Sequence, residues 1–266
     1  MSLRRTLVRG LRAARLAGVA DRAAGAWAAW KARRENAAFR AAHPGRPTPD
    51  PRLIYEIQTY ASLAEFDRSG RAHAAIIADV LQPLPPAAHI LEWGCGPARI
   101  LAPLAQLVPD AKLSGCDPNG AAIAWAAGAL PAIAFRTIAP APPASYPAGS
   151  FDAIYGVSIL THLDAAACRA WVAEIARLLK PDGVAALTLH TESSAAALPP
   201  ADQARYRRGE AVALGGGKQG SRVFAFYLNP DGARALFAPH FAEVTHRPDV
   251  AAALGQDIWL LRAPRP

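Results

Sequence analysis

The chain has 266 residues, 52% hydrophobic and 19% charged, which is enough apolar material for one sizeable core and excludes a mostly disordered chain. Charges or prolines interrupt its apolar runs well short of the about 18 residues that a membrane-spanning helix needs. Three cysteines with no CxxC pair, Cys95, Cys116 and Cys168, exclude a disulfide scaffold and a cysteine-rich zinc site and fit a reducing, cytoplasmic setting.

The net charge of +8 is unevenly placed: residues 1–40 hold 10 Lys and Arg against 2 Asp and Glu, and the remainder holds 19 of each. A nucleic-acid binder carries its positive charge on the folded body, so no nucleic-acid partner is expected. Leu3, Leu7, Val8 and Leu11 share one face of a predicted helix over Leu3–Arg12, with Arg5, Arg9 and Arg12 opposite. An Ala-rich helical stretch with Trp27 and Trp30 follows. A basic arm of this kind is either a solvated helix or a peripheral contact to an anionic membrane. It lacks the continuous apolar segment of a secretory signal, while an Arg-rich, acid-poor start also suits an organelle transit peptide. Four prolines between His43 and Pro51 mark the linker. The expected organisation is an arm (1–45), a helical cap (46–86) and a main domain (87–266).

After the linker, Ile54 to Leu81 reads as helix with a break at Ser69-Gly70. Strand and helix then alternate. Strands are predicted at His89–Trp93, Lys112–Cys116, Ala134–Ile138, Phe151–Val157 and Val184–His190. Helices are predicted from Ala98 to Leu107, Ala121 to Ala129 and Ala165 to Leu179, the last stopping at Lys180-Pro181-Asp182-Gly183. This pattern predicts an α/β fold with a parallel, doubly wound sheet. Ligands of such sheets bind beyond the carboxyl ends of the strands.

Gly94-Cys95-Gly96-Pro97 ends the first strand, where small residues let backbone turn sharply and approach a ligand. Ala98 replaces the third glycine of a dinucleotide fingerprint, which argues against NAD. Asp117 ends the second strand and is placed either to accept hydrogen bonds from ribose hydroxyls or to cap the next helix. No set of carboxylates converges at the strand ends, so no metal is expected. Cys95 and Cys116 are expected close together across neighbouring strand ends, as two small half-buried residues.

Four segments together resemble the class I S-adenosylmethionine-dependent methyltransferases: Ile90–Gly96, Gly115–Pro118, Gly149–Tyr155 and Leu178–Gly183. The resemblance implies a seven-stranded, mostly parallel, Rossmann-like sheet with a last antiparallel strand, drawn from Phe241–Thr245 and Asp257–Leu261. It implies S-adenosylmethionine as cofactor, with Glu92, Trp93, Gly94, Cys95 and Gly96 bordering its methionine and ribose. It also implies Asp117 on the ribose hydroxyls, Pro118 near the adenine, and Val157 and Ser158 beneath the methyl donor. An acid that relatives carry near the adenine is missing, so the backbone of Ile138 or Ala139 is expected to substitute.

Thr161-His162-Leu163 and Gly255-Gln256-Asp257 further resemble bacterial methyltransferases found beside glycosyltransferases. The acceptor expected on that likeness is a small-molecule or glycan hydroxyl. A hydroxyl nucleophile benefits from a general base, and the candidates are His162 and His190, with His162 preferred. The alternatives are a non-catalytic module on the same fold and an RNA or protein methyltransferase. Tyr55, Tyr60, Phe66 and Arg68 would close over the cofactor. An insertion at 191–228 carries Glu192, Arg205, Arg207 and Arg208 and a glycine run (215–220), and is expected to act as a substrate lid.

Overall fold

The computed structural model describes residues 17–215, 220 and 224–265. The helix expected over Leu3–Arg12 and most of the glycine run lie outside these residues. Two compact units result, Met1–Arg68 and Ser69–Pro266. No helix among the described residues is long and apolar enough to cross a membrane.

The first unit contains α1 (Ala17–Ala42), α2 (Pro51–Ile57) and the start of α3 (Leu63–Val80). Asp50 caps α2 by accepting from the Arg52 amide at 2.7 Å, and Pro51 fits the first turn because it needs no donor there. Buried Asn36 ties α1 to the entry of α3. Its Nδ2 donates to the Ala61 carbonyl at 2.9 Å, and its Oδ1 accepts from the Leu63 amide at 2.8 Å. Gly25 of α1 faces the ring of Tyr55, and Arg46 pairs with Asp67.

The helical break expected at Ser69-Gly70 lies instead between Ile57 and Leu63, and α3 runs through the glycine. A Cβ on Gly70 would stand 2.3 Å from the Arg99 carbonyl oxygen, so the residue permits a close approach and does not stop the helix.

In the second unit a seven-stranded sheet comprises β1 (His89–Trp93), β2 (Lys112–Asp117), β3 (Ala134–Thr137), β4 (Phe151–Gly156) and β5 (Leu179–His190), completed by β8 (Phe241–Arg247) and β9 (Gln256–Pro264). Their spatial order is β3-β2-β1-β4-β5-β9-β8, and β9 runs antiparallel to both of its neighbours. The helices are α4 (Leu101–Leu107), α5 (Gly120–Ala129) and α6 (Ala165–Leu178). Helix α4 starts three residues later than its apolar pattern suggests, because Ala98 holds φ = +55°.

Helix α6 ends at Leu178, where the stop signal places it, but β5 begins at Leu179 and not at Val184. Lys180–Gly183 form an irregularity inside β5, whose register on β4 jumps from Phe151↔Leu179 to Ala153↔Val184. Lys180 there holds the Asp152 carboxylate at 2.8 and 2.9 Å, and that carboxylate also accepts from the His89 amide at 2.8 Å.

The sheet is buried on both faces. On one, α6 and α9 (Pro230–Phe237) bring Trp171, Ile175 and Phe237 against Leu91, Trp93, Leu187 and Trp259. On the other, the Ile77 end of α3 and α4 cover Ile90, Ala153, Tyr155 and Ile258. The insertion forms α7 (Glu192–Ala195), α8 (Pro200–Arg207) and a hairpin of β6 (Val212–Leu214) with β7 (Ala225–Tyr227). It has its own small core of Ala195, Leu198, Tyr206 and Val212. A short α10 (Ala251–Leu254) precedes β9.

Candidate active site

The sheet gathers the carboxyl ends of β1, β2 and β4, and the antiparallel β9 begins at the same edge. After β1 the chain folds back onto β2, with the Gly94 and Cys95 amides both donating to the Cys116 carbonyl at 2.8 and 3.1 Å. Gly94 holds φ = +77°, and a Cβ there would stand 2.2 Å from Cδ1 of Ile159. The turn is thus tight enough to require glycine and leaves a cradle of backbone at the strand end.

Asp117 braces this turn. Its Oδ2 accepts from the Gly96 amide at 2.8 Å and its Oδ1 from the Asn119 amide at 2.7 Å. Each carboxylate oxygen retains a lone pair for a further donor. Burial raises its pKa, and the two amides oppose that rise. Asp117 is not the helix cap, because Asn119 accepts from the first amides of α5. The Ile138 amide donates to the Asp117 carbonyl at 3.2 Å. Pro118 is exposed beside it.

Glu92 is buried one residue before that turn and lies level with Tyr155 of β4. It accepts from the Leu101 amide at 3.1 Å. Burial pushes its carboxyl up to about 8, with nearby Tyr155 and Arg99 opposing. The Tyr155 hydroxyl is close enough to act electrostatically on Glu92 but makes no well-formed hydrogen bond among the described residues. Trp93 sends its indole into the core, 5.0 Å from the Trp171 ring, so only its backbone faces the site. Cys95 and Cys116 are both buried free thiols, and burial raises both, Cys116 to about 12. A Cβ on Gly115 would touch the Cys95 sulfur at 2.8 Å.

Beyond β4, Ser158 has φ = +66°, a strained conformation for a residue with a side chain. Three hydrogen bonds hold it. Its amide donates to Oγ1 of Thr188 at 2.8 Å, Thr188 donates to Oε1 of Gln256 at 2.5 Å, and Nε2 of Gln256 donates to Oγ of Ser158 at 2.7 Å. Thr188 must direct its only proton at Gln256 because it already accepts from the amide. That fixes the orientation of the Gln256 amide and leaves the Ser158 proton for a ligand. The sequence supplies Ser158, but Thr188 and Gln256 join it only through the register of β5 on β9.

His162 lies in a 3₁₀ turn, Leu160–His162, and its Nδ1 stands 2.7 Å from the Phe224 carbonyl. A carbonyl only accepts, so the neutral ring carries its proton on Nδ1 and keeps the lone pair of Nε2. The His162 carbonyl in turn accepts from the Gly220 amide at 2.9 Å, so the insertion grips this histidine at ring and backbone. His190 stacks on Tyr227 at 4.3 Å between ring centroids, and its Nε2 is buried without a partner among the described residues. Burial and then the neighbouring His162 push His190 down to about 4, so it is neutral at ordinary pH and a weak base.

The arginines of the insertion are engaged locally. Arg205 pairs with Glu210 and Asp202, Arg208 also reaches Glu210, and Arg207 donates to Gln203. Among the described residues no group of three or more His, Cys, Asp or Glu side chains is placed to hold a metal ion.

This arrangement is a doubly wound sheet with a tight glycine turn and a braced carboxylate at one edge. Residues 90–183 match the family model described as a methyltransferase domain. An S-adenosylmethionine-dependent methyltransferase from Methanosarcina mazei is similar at 18% identity and TM-score 0.51, covering 71% of this chain and 96% of that one. A didemethyltoxoflavin N1-methyltransferase from Burkholderia thailandensis with bound S-adenosylhomocysteine is similar at 16% identity and TM-score 0.52, covering 75% and 80%. An amino pentose methyltransferase from Micromonospora echinaspora with bound S-adenosylmethionine is similar at 18% identity and TM-score 0.52, covering 73% and 94%. Comparison with curated protein sequences gave no match. Residues 90–183 thus form a methyltransferase domain, and the sheet around them has the fold of the S-adenosylmethionine-dependent methyltransferases to which it is similar, which makes S-adenosylmethionine the cofactor.

Proposed function

We propose that the protein methylates a hydroxyl group of a small molecule or glycan, with His162 as general base. The Asp117 carboxylate holds the two ribose hydroxyls, and the Gly94–Gly96 backbone with Glu92 borders the ribose and methionine. Pro118 and the Ile138 carbonyl flank the adenine, and Val157 and Ser158 lie under the reacting centre. The residues fit this ligand: the glycine turn leaves backbone open at the strand end, and Asp117 is held by two amides with lone pairs to spare. The cofactor supplies a methyl group on a positively charged sulfur.

Bound there, the cofactor would supply its methyl carbon to the acceptor oxygen and keep the carbon–sulfur bonding pair, and Nε2 of His162 would take the hydroxyl proton. Alignment of the three reacting atoms is the main demand, and a base adds about 10²–10⁴-fold.

The observation that carries this reading is the hydrogen bond from His162 Nδ1 to the Phe224 carbonyl, which leaves Nε2 basic. A base of this kind helps a hydroxyl more than an amine, which already carries a nucleophilic lone pair. His190 is weakly basic, and its place beside His162 suits it to shaping the acceptor pocket with Tyr227. Similarity to an amino pentose methyltransferase supports a sugar-like acceptor. The test is methylation of a panel of sugar and phenol acceptors by wild type and His162→Ala. A drop of about a hundredfold or more in kcat with S-adenosylmethionine affinity unchanged supports the reading. Unchanged kcat removes His162 as base, and tight cofactor binding without turnover on any acceptor points to a non-catalytic module.

A further inference from the structure

The first unit carries a feature that cofactor binding and methyl transfer do not use. Helix α1 buries the side that holds Gly25 and Asn36. At about 100° per residue, Trp27, Trp30, Lys31 and Arg34 lie within one arc on the opposite side. All four are exposed, and the two indoles are 58% and 52% accessible. The rings stack on each other at 4.9 Å between centroids with 16° between planes. The Arg33 guanidinium lies 4.0 Å over Trp30 while donating to the Trp30 carbonyl at 2.7 Å.

Two exposed tryptophans on a helix cost free energy in water unless they meet an apolar or interfacial environment. Tryptophan has an apolar body and one N–H donor, which suits the boundary between lipid headgroups and acyl chains. The flanking charge selects the sign of the surface. Residues 1–40 hold 10 Lys and Arg against 2 acids, and the sequence before α1 intersperses Arg4, Arg5, Arg9, Arg12 and Arg15 with Leu3, Leu7, Val8 and Leu11. Cationic residues mixed with leucine and tryptophan match an anionic bilayer. A nucleic acid would use the cations and indoles but not the leucines.

We infer that the Trp27–Trp30 face of α1, with the basic residues around it, is a peripheral docking surface for anionic phospholipid. The indoles seat in the headgroup region, and Lys31 and Arg34 beside them pair with lipid phosphates. Binding of this kind weakens as salt rises, because the Debye length shrinks below about 8 Å. The inference is independent of the cofactor assignment, since no residue of α1 belongs to the proposed site.

The test is flotation of the full chain with vesicles of equal parts phosphatidylcholine and phosphatidylglycerol, against phosphatidylcholine alone. Wild type is expected to float with the anionic vesicles and to be released by high salt. Trp27→Ser/Trp30→Ser is expected to bind at least about tenfold more weakly while its S-adenosylhomocysteine affinity stays unchanged. Should that double variant fold poorly, Lys31→Glu/Arg34→Glu serves in its place, with the same loss expected. Flotation that is absent, equal on neutral vesicles, or undiminished in the folded variants overturns the inference. So does Trp-dependent binding of poly(U) in place of vesicles, or a concentration-dependent dimer that the tryptophan substitutions abolish.

Discussion

At the residue scale, Glu92 shows how a site feature becomes a stability term. Its carboxyl is pushed from an ordinary 4.5 to about 8 by burial. The folded protein therefore keeps a proton that the unfolded chain releases above about 4.5. The stability this contributes is complete at low pH, falls as pH rises, and is gone above about 8. His190 acts in the opposite sense: held down at about 4 against 6.5, it stabilises the fold less as pH drops from 6.5 to 4. Between pH 6.5 and 8 Glu92 acts without that opposition, and a slope near 1.4 kcal/mol per unit predicts a loss of about 2 kcal/mol. Urea unfolding across that range is expected to show the decline in wild type and a flat profile in Glu92→Gln. An equal slope in both would assign the dependence to another group. Glu92 entered the sequence reading through the family resemblance. Its proximity to Tyr155 was not legible there, because it depends on how β1 registers on β4.

At the element scale, the turn after β1 and the Ser158 bend are each held by a few specific bonds. Gly94→Ala places a Cβ 2.2 Å from Ile159 at a positive φ, and is expected to cost at least about 1–3 kcal/mol in unfolding free energy while weakening S-adenosylhomocysteine binding. Gln256→Leu removes the acceptor of the buried Thr188 hydroxyl and the donor to Ser158. About 1–3 kcal/mol of stability should be lost, with Ser158 free to leave its strained conformation. A neutral Gln256→Leu would mean that the bend does not depend on this network. The glycine turn and the strand–helix alternation were readable because small residues and apolar periodicity are local signals. The Thr188–Gln256 pairing was not, since its partners lie 68 positions apart and meet only through an antiparallel register. Gly70 misled the reading for a related reason: a helix-breaking residue in sequence is a contact residue in space, against Arg99. Lys180–Gly183 carried a stop signal that α6 obeys at Leu178, and the fold also uses the segment as an irregularity within β5.

At the scale of the whole molecule, the sheet is held by two cores on opposite faces, so damage to either should unfold the second unit. Phe237 of α9 is fully buried with its ring 5.7 Å from that of Trp259 on β9. Phe237→Ala is expected to lower unfolding free energy by about 3–5 kcal/mol, measurable by urea titration. A cost below about 1 kcal/mol would show that this face collapses around the cavity. The doubly wound architecture was visible in the order of elements, and the division between Arg68 and Ser69 falls inside α3, beside the Ser69-Gly70 pair. The central claim concerns the edge where β1, β2 and β4 end, with Asp117 as the ribose acceptor. Calorimetric titration with S-adenosylhomocysteine, on wild type and on Asp117→Ala shown by circular dichroism to be folded, tests it most directly. Micromolar binding by wild type and a loss of at least about a hundredfold in the variant is the expected result, the consequence of removing two charge-assisted hydrogen bonds. Equal binding by the two proteins, or none by wild type, would contradict it.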